Sequence, residues 1–261
     1  MQNRYFGDIG DFGKYGMLRS VNKTGLRLGV NWYLFPDESH NDDGKHKGYL
    51  KNDKHNVSIC DNELYLYLKN ITDNVFNEQL SVKLIENNNL LSGVKFYNNI
   101  LDIEFLQDWK KRQEDRQNWF LRSLSELADC DVVFCDPDNG FEVASVGHTA
   151  KKAGKYIFFD EAKALYDSGK SLIIYHHGPL WFKNGQVEEY VQAMLSSIEN
   201  KVSKEATIVC LQWQTTAKRF CFWIIKKDHK EQLIKSINEI TLSEWGNHFK
   251  RIEVKDIEVE F

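Results

Sequence analysis

The chain has 261 residues, 42% hydrophobic and 28% charged, with a formal net charge of −4. This composition excludes intrinsic disorder and supports a sizeable core, and the near-balanced charge gives no global footprint for a polyanion, so nucleic acid would need a local basic patch. No apolar run approaches the roughly 20 residues that span a bilayer, the opening "MQNRYFGDIGD" has no basic start followed by an apolar stretch, and no Pro/Ser-rich linker divides the chain; the expectation is one cytoplasmic domain over residues 1–261 without a membrane partner.

In chain order, a short helix is predicted over Tyr15 to Val21, and "RLGVNWYLFP" reads as a first buried strand from Leu28 to Phe35, stopped by Pro36. The polar segment "DESHNDDGKHKGYLKNDKHN" follows as a long exposed loop with three histidines and five acidic residues, whose spacing matches no known metal site. "NELYLYLKNI" and "ITDNVFNEQLSVKLIENNNLL" look helical, and "VKFYNNIL" suits a strand. A helical repeat runs through Phe105, Leu106, Trp109, Trp119, Phe120, Leu124 and Leu127, with cations at Lys110, Lys111, Arg112, Arg116 and Arg122 on a solvated or phosphate-tracking face. "DVVFCD" is a fully buried strand. Helix "IFFDEAKALYDSG" then precedes strand "KSLIIYHH", and helix "NGQVEEYVQAMLSSIENKV" precedes strand "ATIVCLQW". "RFCFWIIKK" follows after a short polar gap, as an antiparallel hairpin requires, and "KEQLIKSINEI" closes the pattern. The five cysteines form no CxxC pair and read as buried reduced thiols.

Strands alternating with helices predict an α/β fold, a Rossmann-like doubly wound, mostly parallel sheet with an antiparallel edge hairpin. In such sheets the ligand crevice lies outside the carboxyl ends of the strands. "FPDESH", "CDPDNG" and "YHHGPLW" occupy those ends, so Glu38, His40, Asp136, Asp138, Asn139, His176 and His177 should converge. "CDPDNG" is either a strand-ending turn or a reaction centre in which Asp136 or Asp138 is the catalytic carboxylate and Asn139 reads the substrate. The sequence leaves open which aspartate acts. The adjacent His176 and His177 are either one inward-packing and one solvated histidine, or a pair in which one imidazole orients a phosphate or base edge; a shared metal is disfavoured, because neighbours on a strand point to opposite faces. The opening "RYFGDIGDFGKYG" sets Tyr5, Phe6, Phe12 and Tyr15 among glycines, Arg4 and Lys14, which suits either core packing or stacking on bases with phosphate contact.

"FGDIGDFGKYGML" resembles the N-terminal signature of the large-subunit ribosomal RNA adenine methyltransferases, with Gly7, Asp11, Lys14 and Leu18 matching, Asp8 in place of an Asn and Tyr15 in place of a His. "DVVFCDPDNGF" is similar to that family's D-P-P-Y strand end, with Asp136 and Pro137 matching and Asp138 and Asn139 replacing the second Pro and the Tyr. The resemblance implies a nucleic-acid partner, an S-adenosylmethionine cofactor and a substrate site including Tyr5, Phe6, Gly7, Asp8, Asp11 and Lys14. Two departures argue for a different chemistry. The first strand ends in "FPDESHNDDG", without the glycine turn the cofactor needs, and the D-P-P-Y position has gained a carboxylate and lost its ring. The expectation is therefore a cofactor-free, metal-free hydrolase that cleaves a base–sugar bond in DNA, of the kind that would act on modified phage DNA in bacterial defence. The alternatives are an S-adenosylmethionine-dependent base methyltransferase and a non-catalytic nucleic-acid-binding module.

Overall fold

The computed structural model describes residues 1–38, 46–76, 79–178, 186–215 and 218–253. Its strands are β1 (Leu28–Asn31), β2 (Lys95–Tyr97), β3 (Val132–Cys135), β4 (Gly140–Phe141), β5 (Tyr156–Ile157), β6 (Ser171–His177), β7 (Thr207–Trp213), β8 (Arg219–Ile225) and β9 (Phe249–Arg251). Seven of them form one sheet in the order β2-β1-β3-β6-β8-β7-β9, while β4 and β5 make a separate parallel pair. Strands β2, β1, β3 and β6 are parallel, β8 runs antiparallel between β6 and β7, and β9 lies antiparallel on β7. This is the Rossmann-like α/β sheet with the hairpin expected from "ATIVCLQW" and "RFCFWIIKK". The helices are α1 (Ile9–Asn22), α2 (Asn62–Asn74), α3 (Lys83–Glu86), α4 (Trp109–Glu126), α5 (Phe159–Asp167), α6 (Val187–Lys201) and α7 (Lys230–Leu242). Residues of α1, α2 and α7 share one apolar cluster with Val30, Val132 and Phe134, and residues of α4, α5 and α6 share another with Val133, Cys135 and Leu172. The two clusters take alternate residues of the same strands, as a sheet covered on both faces requires. Among the described residues no helix is long and apolar enough to cross a membrane.

Several elements depart from the sequence-based expectation, and β4, β5 and β9 had no counterpart in it. First, β1 ends at Asn31 instead of running to Phe35. The Asn31 side-chain oxygen accepts from Tyr33 N at 3.0 Å, and Tyr33 adopts φ 45°, so an Asx-type turn takes the chain out of the ladder. Trp32 to Phe35 stay buried, because Trp32 N donates to Tyr97 O and Phe35 N to Met1 O while Leu34 O accepts from Leu101 N. Second, α1 begins at Ile9, well before Tyr15. Asp8 caps it by accepting from Asp11 N at 2.8 Å. Its glycines weaken the helix but let it lie against aromatic rings: a Cβ at Gly13 would stand 3.0 Å from Trp213. Third, α2 ends at Asn74, and of the following region only Lys83–Glu86 is α-helical among the described residues. Val75 is extended at the end of α2 and cannot propagate the turn. Likewise Phe105 and Leu106 precede α4, whose start is fixed by Asp108 accepting from Lys110 N. All five cysteines are free, four of them buried.

Candidate active site

The chain passes from β1 outward to β2 and returns on the other side of β1 as β3, so the topological switch point lies between β1 and β3. Asp136 is the first residue beyond β3, and its N–H donates to Asn31 O at 3.0 Å across that point. Val132 and Phe134 face the cluster that holds α1, and the period of two turns Asp136 the same way. On α1, Asp11 and Lys14 are one turn apart and therefore neighbours. The Lys14 ammonium lies 2.7 Å from Asp136 Oδ2 and 2.7 Å from Asp11 Oδ1, and 4.8 Å from the centre of the Tyr175 ring. Tyr15 donates to Asp11 Oδ2 at 3.2 Å. All of these side chains are buried.

The electrostatics follow from that enclosure. Burial pushes the Asp11 carboxyl up to about 7, with the Lys14 charge pulling against it. Burial works to lower the Lys14 ammonium as well, but Asp11 and Asp136 more than reverse this and hold it well above its ordinary value. One group in the cluster thus exchanges a proton near neutral pH beside a fixed positive charge.

A second cluster adjoins the first. The Met1 α-ammonium donates to Asp136 O at 2.8 Å and lies 3.8 Å from Asp138 Oδ1. Gln2 donates to both Asp138 and Glu38, and Lys155 bonds Glu38 Oε1 and stands 3.4 Å from Asp138 Oδ2. Burial opposes ionisation of Asp138 and of Glu38, yet the α-ammonium and Lys155 keep the first below the usual carboxylate range, and bonds from Lys155 and Gln2 do so for the second. Residues 1 and 2 therefore fill the crevice between β1 and β3.

The anticipated residues divide accordingly. Asp11, Lys14, Glu38, Asp136 and Asp138 come together, and Asp8 caps α1 beside them, its charge raising the Asp11 carboxyl and the Lys14 ammonium. His177 faces the Tyr175 side of β6, edge-on to that ring at 5.6 Å, and its backbone N–H holds Asn139 O while Asn139 N donates to Lys155 O. His176 is corrected to a structural role. Its Nδ1 accepts from Phe141 N at 3.0 Å and its Nε2 bonds the Tyr190 hydroxyl, and burial pushes it down to about 3, so it stays neutral. Phe6 is likewise enclosed in the core beside Tyr15, and Gly7 gives its carbonyl to the Tyr49 hydroxyl; neither forms a substrate surface. Tyr5 is half-buried with the Arg4 guanidinium 5.3 Å from its ring centre. His40 lies outside the described residues. On α4, Arg112 and Arg116 are buried anchors, leaving no continuous phosphate-tracking row of cations. Met1, Gln2 and Lys155 carried no signal in the sequence, because their roles depend on partners such as Asp136, Asp138 and Glu38 that only tertiary contact brings to them.

Gly140 fixes the geometry between Asn139 and the sheet. It has φ 103°, and a Cβ there would lie 2.1 Å from His176 Nδ1. Gly140→Ala is therefore expected to destabilise the fold by at least about 2 kcal/mol, combining backbone strain with a clash in the core. Urea denaturation checks it, and an unchanged midpoint would contradict this account of the turn.

No family model, curated protein or solved structure matches the chain. Among the described residues no group of three or more His, Cys, Asp or Glu side chains is placed to hold a metal ion.

Proposed function

We propose that the chain is a nucleic-acid base-processing enzyme that hydrolyses a base–sugar N-glycosidic bond in DNA, with Asp11, Lys14 and Asp136 at its centre. The observation that carries this reading is the pair of carboxylates sharing one ammonium at the switch point, one of them near neutral pKa. Glycosidic hydrolysis uses such a pair, a proton donor and a charged carboxylate beside an oxocarbenium-like sugar. Asp11 gives its proton to the departing base nitrogen, Asp136 stabilises the positive sugar and takes a proton from the attacking water, and the water oxygen bonds to C1′. Proton return from Asp136 to Asp11 closes the cycle, with one water consumed and one base released.

Methyl transfer from S-adenosylmethionine is the second reading, favoured by the reversed strand β8 between β6 and β7, which agrees with the methyltransferase resemblance of the sequence. Against it stand the bulky residues after β1, where the cofactor needs close backbone approach, and the Met1–Gln2 segment in the crevice.

The experiment is incubation with DNA carrying ordinary or modified bases, scored for alkali-labile abasic sites across pH. Because Asp11 must be protonated to act as donor, turnover is expected to fall as pH rises through about 7. The same group sets a stability trend: its folded pKa exceeds the ordinary 3.8, so the folded state binds the proton more tightly and stability falls as pH rises from 3.8 to about 7. No abasic sites on any substrate, together with calorimetric binding of S-adenosylmethionine, would transfer the assignment to the second reading.

A further inference from the structure

The Gln2 side chain is fully buried, and both edges of its carboxamide are engaged. Nε2 donates to Glu38 Oε2 and to Asp138 Oδ2, each at 3.0 Å, and Oε1 accepts from Glu38 N at 2.9 Å. Lys155 bonds the other oxygen of Glu38 and shares Asp138 Oδ2 with Gln2, and its ammonium stands 5.2 Å from the centre of the Phe35 ring. The recognition surface is thus two carboxylate acceptors flanked by one N–H donor. Its complement is a planar group with an amino nitrogen donating two protons next to a lone-pair acceptor. A primary carboxamide has that edge. So have cytosine, through its amino group and N3, and adenine, through its amino group and a ring nitrogen. Uracil and hypoxanthine put a carbonyl oxygen where the amino group must be, directly against the carboxylates.

We infer that Asp138, Glu38 and the Glu38 backbone N–H form a pocket that reads an amino-bearing nucleobase, and that Gln2 occupies it in cis as a stand-in for that base. This rests on the base-processing reading above and gives it a substrate class, cytosine- or adenine-type bases. Opening the pocket displaces residues 1 and 2 and breaks the bonds from Phe35 N to Met1 O and from Tyr5 N to Gln2 O, while Asn3 stays tied through its side-chain oxygen, which accepts from Val82 N at 3.1 Å. Asp138 is then a base-reading residue, and the proton chemistry stays with Asp11 and Asp136.

The test compares the wild-type chain with Gln2→Ala by calorimetry and thermal melting, using free cytosine, adenine, uracil, hypoxanthine and nicotinamide as probes. Gln2→Ala is expected to bind cytosine or adenine at least tenfold more tightly than wild type and to ignore uracil and hypoxanthine, and Glu38→Gln added to Gln2→Ala should remove that binding. If Gln2→Ala does not fold unaided, cytosine or adenine should restore its melting transition where uracil does not. Failure of both bases to bind or rescue, or equal binding of all probes, overturns the pocket, and binding of nicotinamide alone overturns its assignment to a base. Base release from DNA by the wild type is scored separately. Release without free-base binding removes the pocket and leaves the hydrolase, whereas binding without release does the reverse.

Discussion

Asp136→Asn is expected to lower base release by at least about a hundredfold, the scale on which a positioned acid or base contributes, while the protein still folds. The backbone around residue 136 is fixed independently of its carboxylate: Asp136 N donates to Asn31 O, and Asp136 O accepts from the Met1 α-ammonium. The amide oxygen of Asn still accepts from Lys14, and Lys14 keeps its pair with Asp11. Under the proposed hydrolysis, the substitution removes the negative charge that faces the sugar and the ability to take a proton from water. Asp138→Asn serves as the contrast, since that carboxylate faces Gln2 and Lys155, and its loss should weaken substrate binding more than turnover. Release of abasic product at the wild-type rate by Asp136→Asn, with a melting curve showing a folded protein, would take this carboxylate out of the mechanism.

Arg116→Ala is expected to cost roughly 3–5 kcal/mol, the range for stripping one partner from a buried ion pair. Arg116 is fully enclosed, with Nε and one terminal nitrogen on the two Glu161 oxygens at 2.9 and 2.8 Å and further bonds to Ala153 O and Tyr156 O. Glu161 in turn accepts from Phe158 N at the start of α5 and from the Tyr33 hydroxyl in the segment that leaves β1. Truncation strands a carboxylate and two carbonyls in the core, and it also releases the stretch whose Lys155 O holds Asn139 N. Arg116→Lys keeps the charge but not the fork of donors, so an intermediate loss is expected. Urea unfolding of both variants checks the order. A midpoint for Arg116→Ala within error of wild type would show that α5 and the β1 exit are secured by packing alone.

The local signals of this chain were strong where chemistry and periodicity act over a few residues. Apolar runs such as "DVVFC" and "SLIIY" specify buried strands because a strand covered on both faces has no polar side. Their alternation with amphipathic segments then restricts the topology to a doubly wound sheet, and the rule that ligands sit at the carboxyl ends of its strands singled out Asp136 and Asp138. Asp8 and Asp108 cap α1 and α4, whereas the methyltransferase resemblance implies a substrate role for Asp8. Other features had no local counterpart. Asn31 ends β1 four residues early through one side-chain bond to Tyr33 N, and nothing in "NWYLF" outweighs its strand propensity until that bond forms. His176 and His177 are chemically identical in the sequence, and only the neighbours on each face of β6 make one a neutral brace and the other a border of the site. Asp11 became the group near neutral pKa through burial, which outweighs the opposing Lys14 charge, since desolvation is a property of the packed interior and not of any residue within it. The sequence by itself determined the mostly parallel sheet with its antiparallel hairpin and the acidic strand end; tertiary packing decided the β4–β5 pair and the place of β9, which carboxylates hold protons, and that Gln2 would lie between Glu38 and Asp138, because burial and contact across more than 30 residues exist only once the chain has folded.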